Sequence, residues 1–424
     1  MGNLDYTQVL NKIENTRRFG NEPGVVVTAQ VIKVLREKGK QKRIIPYIHV
    51  AGTNGKGSVC AFFSSILKKE HMRVGTFVSP HLVDFEERIT VDGRMIAKED
   101  VTRLGNYLLD IDFGIGLTMF DYCLAMALLY FEEQQCDYMV IETGLGGRLD
   151  STNAIGTPQC AVITKIGYDH MAILGSDIAD IAAEKAGIIK ENSTVVVEQQ
   201  DKRAMQVIEQ EAQKKHARII TVEQSDIARC SGYALRLCGT FQWENAAAAE
   251  LAARYVLGKH YSGPEYEMQY DKTGPKSEKT DLNDRIKSAL EEAVWPGRME
   301  IVSKEPFLLV DGAHNSNGVD ALKESLMQMY PGEKFCFFMG VMADKDYDVM
   351  IREILPLAEE FYTVTPDSDR ALQASHLADF IRKEGVEATE LSGVDEIRKH
   401  LKRDTKNVAF GSLYFIGELK QHRI

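Results

Sequence analysis

Short apolar runs alternate along most of this chain with longer stretches whose apolar positions recur at helical spacing. The runs Ile45 to Val50, Val74 to Val78, Tyr138 to Ile141, Ala161 to Ile166 and Val195 to Val197 have the length and β-branched content of buried strands. Strands separated by amphipathic helices specify an α/β fold built on a parallel, doubly wound sheet. A second alternation starts after Trp295-Pro296-Gly297-Arg298, with runs at Phe307 to Val310, Phe335 to Met339, Glu360 to Val364 and Val408 to Phe410. Between the two, Tyr261 to Asp284 holds two Gly-Pro pairs, many charges and little aliphatic content, and reads as an exposed insertion or linker. The pattern predicts two domains, residues 1–294, with a polar insertion at 261–284, and residues 295–424.

In open parallel sheets ligands gather beyond the carboxyl ends of the strands, so the residues just past each run carry the functional information. After the first run comes Gly52-Thr53-Asn54-Gly55-Lys56-Gly57-Ser58, followed by a helical pattern. A strand that delivers a glycine-rich turn to a helix start is a phosphate cradle, because backbone N–H groups can then approach phosphate oxygens. Lys56 adds a mobile positive charge, and Ser58 offers a hydroxyl to a magnesium ion. The spacing is shorter than G-x-x-x-x-G-K-[ST]: Val50 stands where the first glycine belongs and Gly57 where the hydroxyl residue belongs. An ordinary glycine-rich turn with a surface lysine is the competing reading. The lysine, the hydroxyl and the strand-to-helix context together favour an ATP-using protein.

Three further strand ends carry polar groups: Ser79 after the second run, Glu142 after the third and Asp169-His170 beyond the fourth. Glu142 precedes Thr143-Gly144-Leu145-Gly146-Gly147-Arg148, whose glycines leave open ground before the carboxylate, and a hard oxygen ligand there suits magnesium. Taken singly, Glu142 is a solvated glutamate and His170 a structural histidine; four such strand ends together suggest one shared site. Either Asp169 or His170 could face the metal. In the apolar helical stretch Asp180 to Ile188, Glu184 and Lys185 point about 100° apart and cannot both face one site. Exposed, they form a surface pair. Buried, Lys185 would favour its neutral amine, which can react with carbon dioxide to give a carbamate able to bind a second magnesium. Asn245 opens an alanine-rich helix, where it either packs or meets an adenine edge or a phosphate. Arg298 could reach nucleotide phosphates through charge-assisted hydrogen bonds. Asp311-Gly312-Ala313-His314-Asn315 is another polar strand end, suited to a ribose or an amino substrate.

Composition narrows the classes. With 424 residues, 44% of them apolar, the chain can fill two cores. A formal charge of −11 argues against nonspecific nucleic-acid or anionic-membrane partners, so an anionic ligand must be met by local bases or metal ions. Seven cysteines without a C-x-x-C pattern are expected to be reduced thiols of a cytoplasmic protein. The start Met-Gly-Asn-Leu-Asp-Tyr lacks the features of a signal peptide, and the apolar stretch Met119 to Phe131 is too short for a membrane span and contains Asp121.

Taken in order, Gly52 to Ser58, Ser79-Pro80-His81-Leu82, Glu142 to Asp150, Ile166 to His170 with Leu174-Gly175, Glu184-Lys185-Ala186-Gly187, Pro296-Gly297-Arg298, Asp311 to Asn315 and Gly411-Ser412-Leu413-Tyr414 closely resemble folylpolyglutamate synthase, including the bifunctional dihydrofolate synthase form, within the Mur-type ATP-dependent amide ligases. The resemblance spans nearly the whole chain, and only the 261–284 insertion lies clearly outside it.

The resemblance implies an N-terminal doubly wound P-loop ATPase domain and a smaller C-terminal Rossmann-like domain that handles glutamate. It implies ATP as co-substrate and magnesium, two ions, as cofactor, with Ser79, Glu142 and His170 as ligands beside Ser58, and Lys185 as the carboxylated lysine. Thr53, Asn54, Gly55, Lys56, Gly57, Ser58, Asn245, Arg298 and Asp311 become nucleotide contacts. Lys56, Glu142, His170 and Lys185 become the catalytic set. Thr118, Phe120 and Arg148 fall on the pterin side, and His314 and Ser412 near the incoming glutamate. The implied partners are small molecules only: folate or pteroate, L-glutamate and ATP, with no nucleic acid and no membrane, on a monomer. Where the family carries a G-L-x-R-like segment for the pterin, this chain has Gly20 to Val27 (GNEPGVVV), and Ser316 replaces the proline that commonly follows D-G-A-H-N. Use of dihydropteroate therefore stays open. The rival readings are a Mur-type ligase for a cell-wall precursor and a non-catalytic ATP-binding regulator.

Overall fold

The first sheet gathers strands that the chain visits out of order. In the computed structural model, which describes residues 3–16, 20–261 and 282–422, it comprises β1 (Tyr47–Ala51), β2 (Val74–Phe77), β3 (Ile89–Val91), β4 (Arg94–Met95), β5 (Tyr138–Glu142), β6 (Cys160–Ile163), β7 (Thr194–Val197) and β8 (Arg218–Thr221). Their spatial order is β4-β3-β2-β5-β1-β6-β7-β8. From β2 across to β8 every pairing is parallel; β3 and β4 run antiparallel at one edge. The sheet is thus mixed rather than wholly parallel. A tight turn with Asp92 and Gly93 at positive φ joins β3 to β4, a connection too short for any parallel crossover.

The parallel strands are buried on both faces, which is why they read as continuous apolar runs. Helices Tyr6–Glu14, Gly24–Glu37, Lys98–Leu109 and Met119–Glu133 supply residues to one core, which includes Val31, Leu35, Leu104 and Phe131. Helices Ile178–Ala186 and Lys202–Lys214 pack Ile181, Ala182, Ala204 and Ile208 into a second core. Alanines 246–249, 252 and 253 of helix Phe241–Tyr261 are fully buried, small side chains that allow a close approach of the helix.

The second sheet contains β9 (Glu300–Lys304), β10 (Phe307–Val310), β11 (Phe335–Met339), β12 (Ala358–Thr363), β13 (Ala388–Glu390) and β14 (Lys406–Phe410), in the order β13-β12-β11-β14-β10-β9. Only β9 is antiparallel to its neighbour. Aromatic residues fill its core: Phe337 lies 5.2 Å from Phe361 and meets Phe410 edge-on at 5.5 Å.

The chain divides into two compact units. One comprises the residues up to His81, Phe85–Ala234 and Glu244–Ala293; the other comprises Leu82–Asp84, Leu235–Trp243 and the residues from Val294 onward. Two short pieces embedded in the first 294 residues thus belong to the second unit. Local hydrophobic pattern carries no signal for such an exchange. Residues 262–281 of the segment singled out as an insertion lie outside the described residues; Leu282–Glu292 is a helix whose Arg285 pairs with Glu70 at 2.7 Å. All seven cysteines are free, and six are buried. Among the described residues no helix is long and apolar enough to cross a membrane.

Phe337 is fully buried between two other rings. Phe337→Ala is expected to cost about 3–5 kcal/mol through lost transfer energy and an unfilled cavity. Denaturant unfolding followed by a probe in the second unit measures this, and a loss below ~1 kcal/mol would contradict the packing described.

Candidate active site

Strand register builds the site. Val50 of β1 lies opposite Glu142 of β5 on one side and Val162 of β6 on the other, so the loop after Ala51 emerges between two neighbouring strand tips. The chain leaves β1 towards β2 on one flank and later passes from β5 to β6 on the other, which makes this tip a switch point of the sheet.

The loop bends through Gly52 and Gly55, at φ 155° and 90°. A Cβ at Gly52 would lie 1.8 Å from Thr164 Oγ1, and one at Gly55 would lie 2.3 Å from Asn245 Oδ1. Both positions therefore require glycine, for space as well as for backbone conformation. Gly55 also caps helix Lys56–Lys69, whose first turn holds Lys56, Gly57 and the buried Ser58. A helix start, with its N–H groups and the positive end of its dipole, favours an anion. The loop's other edge is pinned: Thr53 N and Asn54 N donate to Lys165 O at 2.9 and 3.2 Å, and Thr164 Oγ1 donates to Asn54 O at 2.6 Å. Thr53 Oγ1 accepts from Gly167 N at 3.0 Å.

Charged groups meet behind the loop. Lys56 Nζ donates to the carbonyls of Gly52 and Thr53, both at 3.2 Å, and lies 3.9 Å from Glu142 Oε1. Glu142 is buried, and its Oε2 accepts from Ser79 N at 3.2 Å, so the tips of β2 and β5 meet at this carboxylate. Lys185, 4% exposed, donates from Nζ to Gly52 O at 2.7 Å. Burial, helped by the charge of Lys56 and opposed by Asp169 and Asp150, pushes the Lys185 pKa down to about 7. The chain's own fold thus brings a lysine close to its titration midpoint at neutral pH, directly beneath the loop at 52–58. Glu184 instead faces Arg148 at 2.6 Å, so the two neighbours diverge as the helical angle requires.

Asp169 and His170 differ in burial. Asp169's side chain is 9% exposed and acts electrostatically on Lys185; the His170 ring is 39% exposed and stands 3.9 Å from Asp169. His170 has positive φ and starts the single turn Met171–Leu174, at the rim of the site.

On the flank of the site, Thr118 caps helix Met119–Glu133 together with Asp121, and the Phe120 ring covers Gly144, within 2.7 Å of where its Cβ would be. Asp121 also accepts from Ser151 at 2.6 Å. Asp150, a residue outside the predicted set, accepts from Gly144 N and Leu145 N at 3.0 and 2.9 Å and so fixes the glycine loop beyond Glu142. Burial raises its pKa. Thr164 lies inside the apolar run 161–166, where local pattern gives it no functional mark, and Asp150 ends the glycine-rich motif that begins at Glu142.

In the second unit, polar residues collect at the tips of β10 and β14. Asp311 is buried and accepts from Met299 N and Ala313 N, both at 2.8 Å; burial raises its pKa and the nearby Arg298 opposes the rise. A Cβ at Gly312 would lie 3.1 Å from Arg298 Nη1 and 2.3 Å from Leu413 Cδ2. Gly411 N donates to Ala313 O at 2.9 Å, which sets the buried Ser412 beside the loop bearing His314. His314 Nδ1 contacts Gly312 O at 2.8 Å, and Ser412 Oγ caps the next helix through Tyr414 N. Asn245 belongs to the first unit; Arg298, Asp311, His314 and Ser412 belong to the second.

Among the described residues no group of three or more His, Cys, Asp or Glu side chains forms a ready-made metal cluster. Magnesium is commonly held by one or two carboxylates with hydroxyls, water and phosphate oxygens. Glu142 could offer such a carboxylate, with hydroxyls available from Ser58 in the first turn of helix Lys56–Lys69 and from Ser79 beyond β2.

Comparison with known proteins places this arrangement. The Mur ligase middle domain matches residues 50–253, and the glutamate ligase domain of Mur ligases matches residues 297–410. The fold and the matched domains are those of a Mur-type ligase, an enzyme class. The dihydrofolate synthase/folylpolyglutamate synthase of Bacillus subtilis is 33% identical over 98% of both chains. The Mycobacterium tuberculosis folylpolyglutamate synthase complexed with ADP and AMPPCP has a TM-score of 0.82 at 25% identity, covering 99% of each chain. Escherichia coli FolC in complex with DHPP and ADP has a TM-score of 0.80 at 26% identity, covering 99% of this chain and 97% of that one. The chain belongs to the folylpolyglutamate synthase/dihydrofolate synthase family.

A lysine whose pKa falls to about 7 in the folded protein binds fewer protons than the unfolded chain between pH 7 and its ordinary value near 10.5. Its penalty is fully present below pH 7 and is relieved as pH rises through that window, at up to about 1.4 kcal/mol per pH unit. Urea midpoints in carbon dioxide-depleted buffer at pH 7 and pH 9.5 are expected to show this rise, and Lys185→Met to remove it. An identical pH dependence in the variant would contradict the burial described.

Proposed function

We propose that this enzyme joins L-glutamate to a reduced folate at the expense of ATP, giving folylpolyglutamate, ADP and phosphate. The observation that carries the reading is the loop at 52–58, with Lys56 at its base 3.9 Å from Glu142 and the buried Lys185 on the Gly52 carbonyl. The related proteins complexed with ADP, AMPPCP and DHPP support it.

The folate carboxylate attacks the γ-phosphorus of ATP; the bond to the bridging oxygen breaks, and ADP leaves with that electron pair. The acyl phosphate so formed is attacked at its carbonyl carbon by the glutamate amine, which loses a proton as phosphate departs. Two anions must first approach one another. Lys56 and the loop amides offset their repulsion by electrostatic stabilisation, and the fixed loop supplies positioning. Thr53, Asn54, Gly55, Gly57 and Ser58 surround the phosphates, with Asn245 against Gly55 and with Arg298 and Asp311 as further nucleotide contacts.

Magnesium, two ions in this proposal, would be held by Ser58, Ser79, Glu142, His170 and a Lys185 carbamate, and would neutralise phosphate charge. The neutral amine that burial favours at Lys185 is the form that adds to carbon dioxide, releasing one proton as the carbamate forms. His314 and Ser412 are assigned to glutamate, and Thr118, Phe120 and Arg148 to the pterin side. Arg148 would have to exchange its Glu184 partner to bind a ligand. The working unit is proposed to be a single chain in the cytoplasm, and dihydropteroate a second acceptor.

The test is phosphate release that requires both glutamate and an acceptor, compared between tetrahydrofolate and dihydropteroate. ATP binding without ADP formation would favour a regulator, and turnover only on a nucleotide-sugar peptide a cell-wall ligase. Lys56→Ala is expected to lower kcat about a hundredfold or more. Lys185→Ala should lose activity and regain part of it with added acetate or formate; unchanged activity would remove the carbamate.

A further inference from the structure

The phosphate loop rests on the segment 164–167, and that segment rests in turn on residues for which the reaction has no direct use. Beyond β7, Glu198 and Gln200 both turn back onto it. Glu198 Oε2 accepts from Lys165 N at 2.7 Å; Gln200 Oε1 accepts from Ile166 N at 2.9 Å, and Gln200 Nε2 donates to Thr164 O at 3.0 Å. The Lys165 carbonyl, two bonds' rotation away, is the acceptor for Thr53 N and Asn54 N. The circuit closes on the other side: Gln199 N donates to Glu244 Oε1 at 2.7 Å, and the next residue, Asn245, abuts Gly55.

We infer that Glu198 and Gln200 are positioning residues for ATP, which hold the 164–166 backbone so that the loop at 52–55 keeps the conformation that receives the phosphates. The inference rests on the reading of 52–58 as the nucleotide's phosphate site.

Two observations support a functional role over simple packing. Glu198 is a carboxyl group 1% exposed, and its second oxygen, Oε1, has no hydrogen-bond partner among the described residues. A buried carboxyl in that condition costs free energy that an apolar residue at the end of β7 would not. Burial and the facing Glu244 push its pKa well upward, against the Lys165 amide and ammonium, which favour the anion. In either protonation state Oε2 can accept from Lys165 N. What the site needs from Glu198 is therefore an acceptor of fixed length, and glutamine is the isostere that retains it.

Glu198→Ala, Glu198→Gln and Gln200→Ala, each in the full chain, are compared with the unaltered enzyme for ADP affinity by calorimetry, KM for ATP and for glutamate, kcat and Tm. Glu198→Ala is expected to weaken ADP binding and raise the ATP KM about tenfold, equivalent to ~1.4 kcal/mol, with the glutamate KM within about twofold. Glu198→Gln should recover most of that loss. Unchanged ADP affinity in Glu198→Ala, or an equal loss in Glu198→Gln, overturns the inference, as does a lower Tm with all ligand constants intact. If Glu198→Ala does not fold, Gln200→Ala decides: a selective loss of ADP affinity supports the inference and an unchanged affinity overturns it. Absence of ADP binding in the unaltered enzyme removes the phosphate-site reading and this inference with it.

Discussion

A tight glycine-rich turn must find partners for its buried carbonyl oxygens, and the first unit is arranged around that demand at residues 52–55. Gly52 O takes the Lys56 and Lys185 ammonium or amine groups, Thr53 O takes Lys56, Asn54 O takes Thr164 Oγ1, and Gly55 O starts the helix through Val59 N. The amides of Thr53 and Asn54 are tied in as well, both to Lys165 O, so the first half of the loop is held through donors and acceptors alike. Buried backbone groups without partners would cost several kcal/mol in total, enough to remodel so short a loop. The same bonds therefore serve stability and chemistry.

The cost of this arrangement is concentrated at Lys185. An amine that is 4% exposed cannot keep its full charge cheaply, and the positive charge of Lys56 adds to the difficulty. The fold meets it partly with the Gly52 carbonyl and with the fields of Asp169 and Asp150. A lysine near its midpoint at neutral pH is a poor structural element and a good nucleophile. That contrast, more than its place in a motif, makes it chemically informative.

The two sheets solve the same problem in different ways. In the first, the switch of strand order at β1 gathers Ser79, Glu142 and the phosphate loop at one end. In the second, Asp311 uses both carboxylate oxygens to brace Met299 N and Ala313 N, so the tip of β10 is held by a side chain instead of by a helix dipole. Gly312 is squeezed between Arg298 and Leu413, and any side chain there would displace one of them.

Much of this was legible in the residues alone. The alternation of β-branched runs with amphipathic stretches gave the parallel strands and their helices, because a strand buried on both faces must be apolar throughout. The glycine-lysine loop was legible because only glycine tolerates the φ values and the close approach to Thr164 and Asn245. The antiparallel β3, β4 and β9 leave no strand signal in the sequence, because β3 and β4 are only three and two residues long and β9 is a partly exposed edge. The sequence left Asp169 and His170 equivalent, and their burial separated them. It also left Lys185 suspended between a surface pair and a buried amine; only the packing of helix Ile178–Ala186 under the loop decided that. Local pattern records which face a residue must hide, whereas a pKa and a circuit such as Glu198 to Lys165 to Thr53 depend on atoms far apart in the chain, which only the folded arrangement brings within hydrogen-bonding distance.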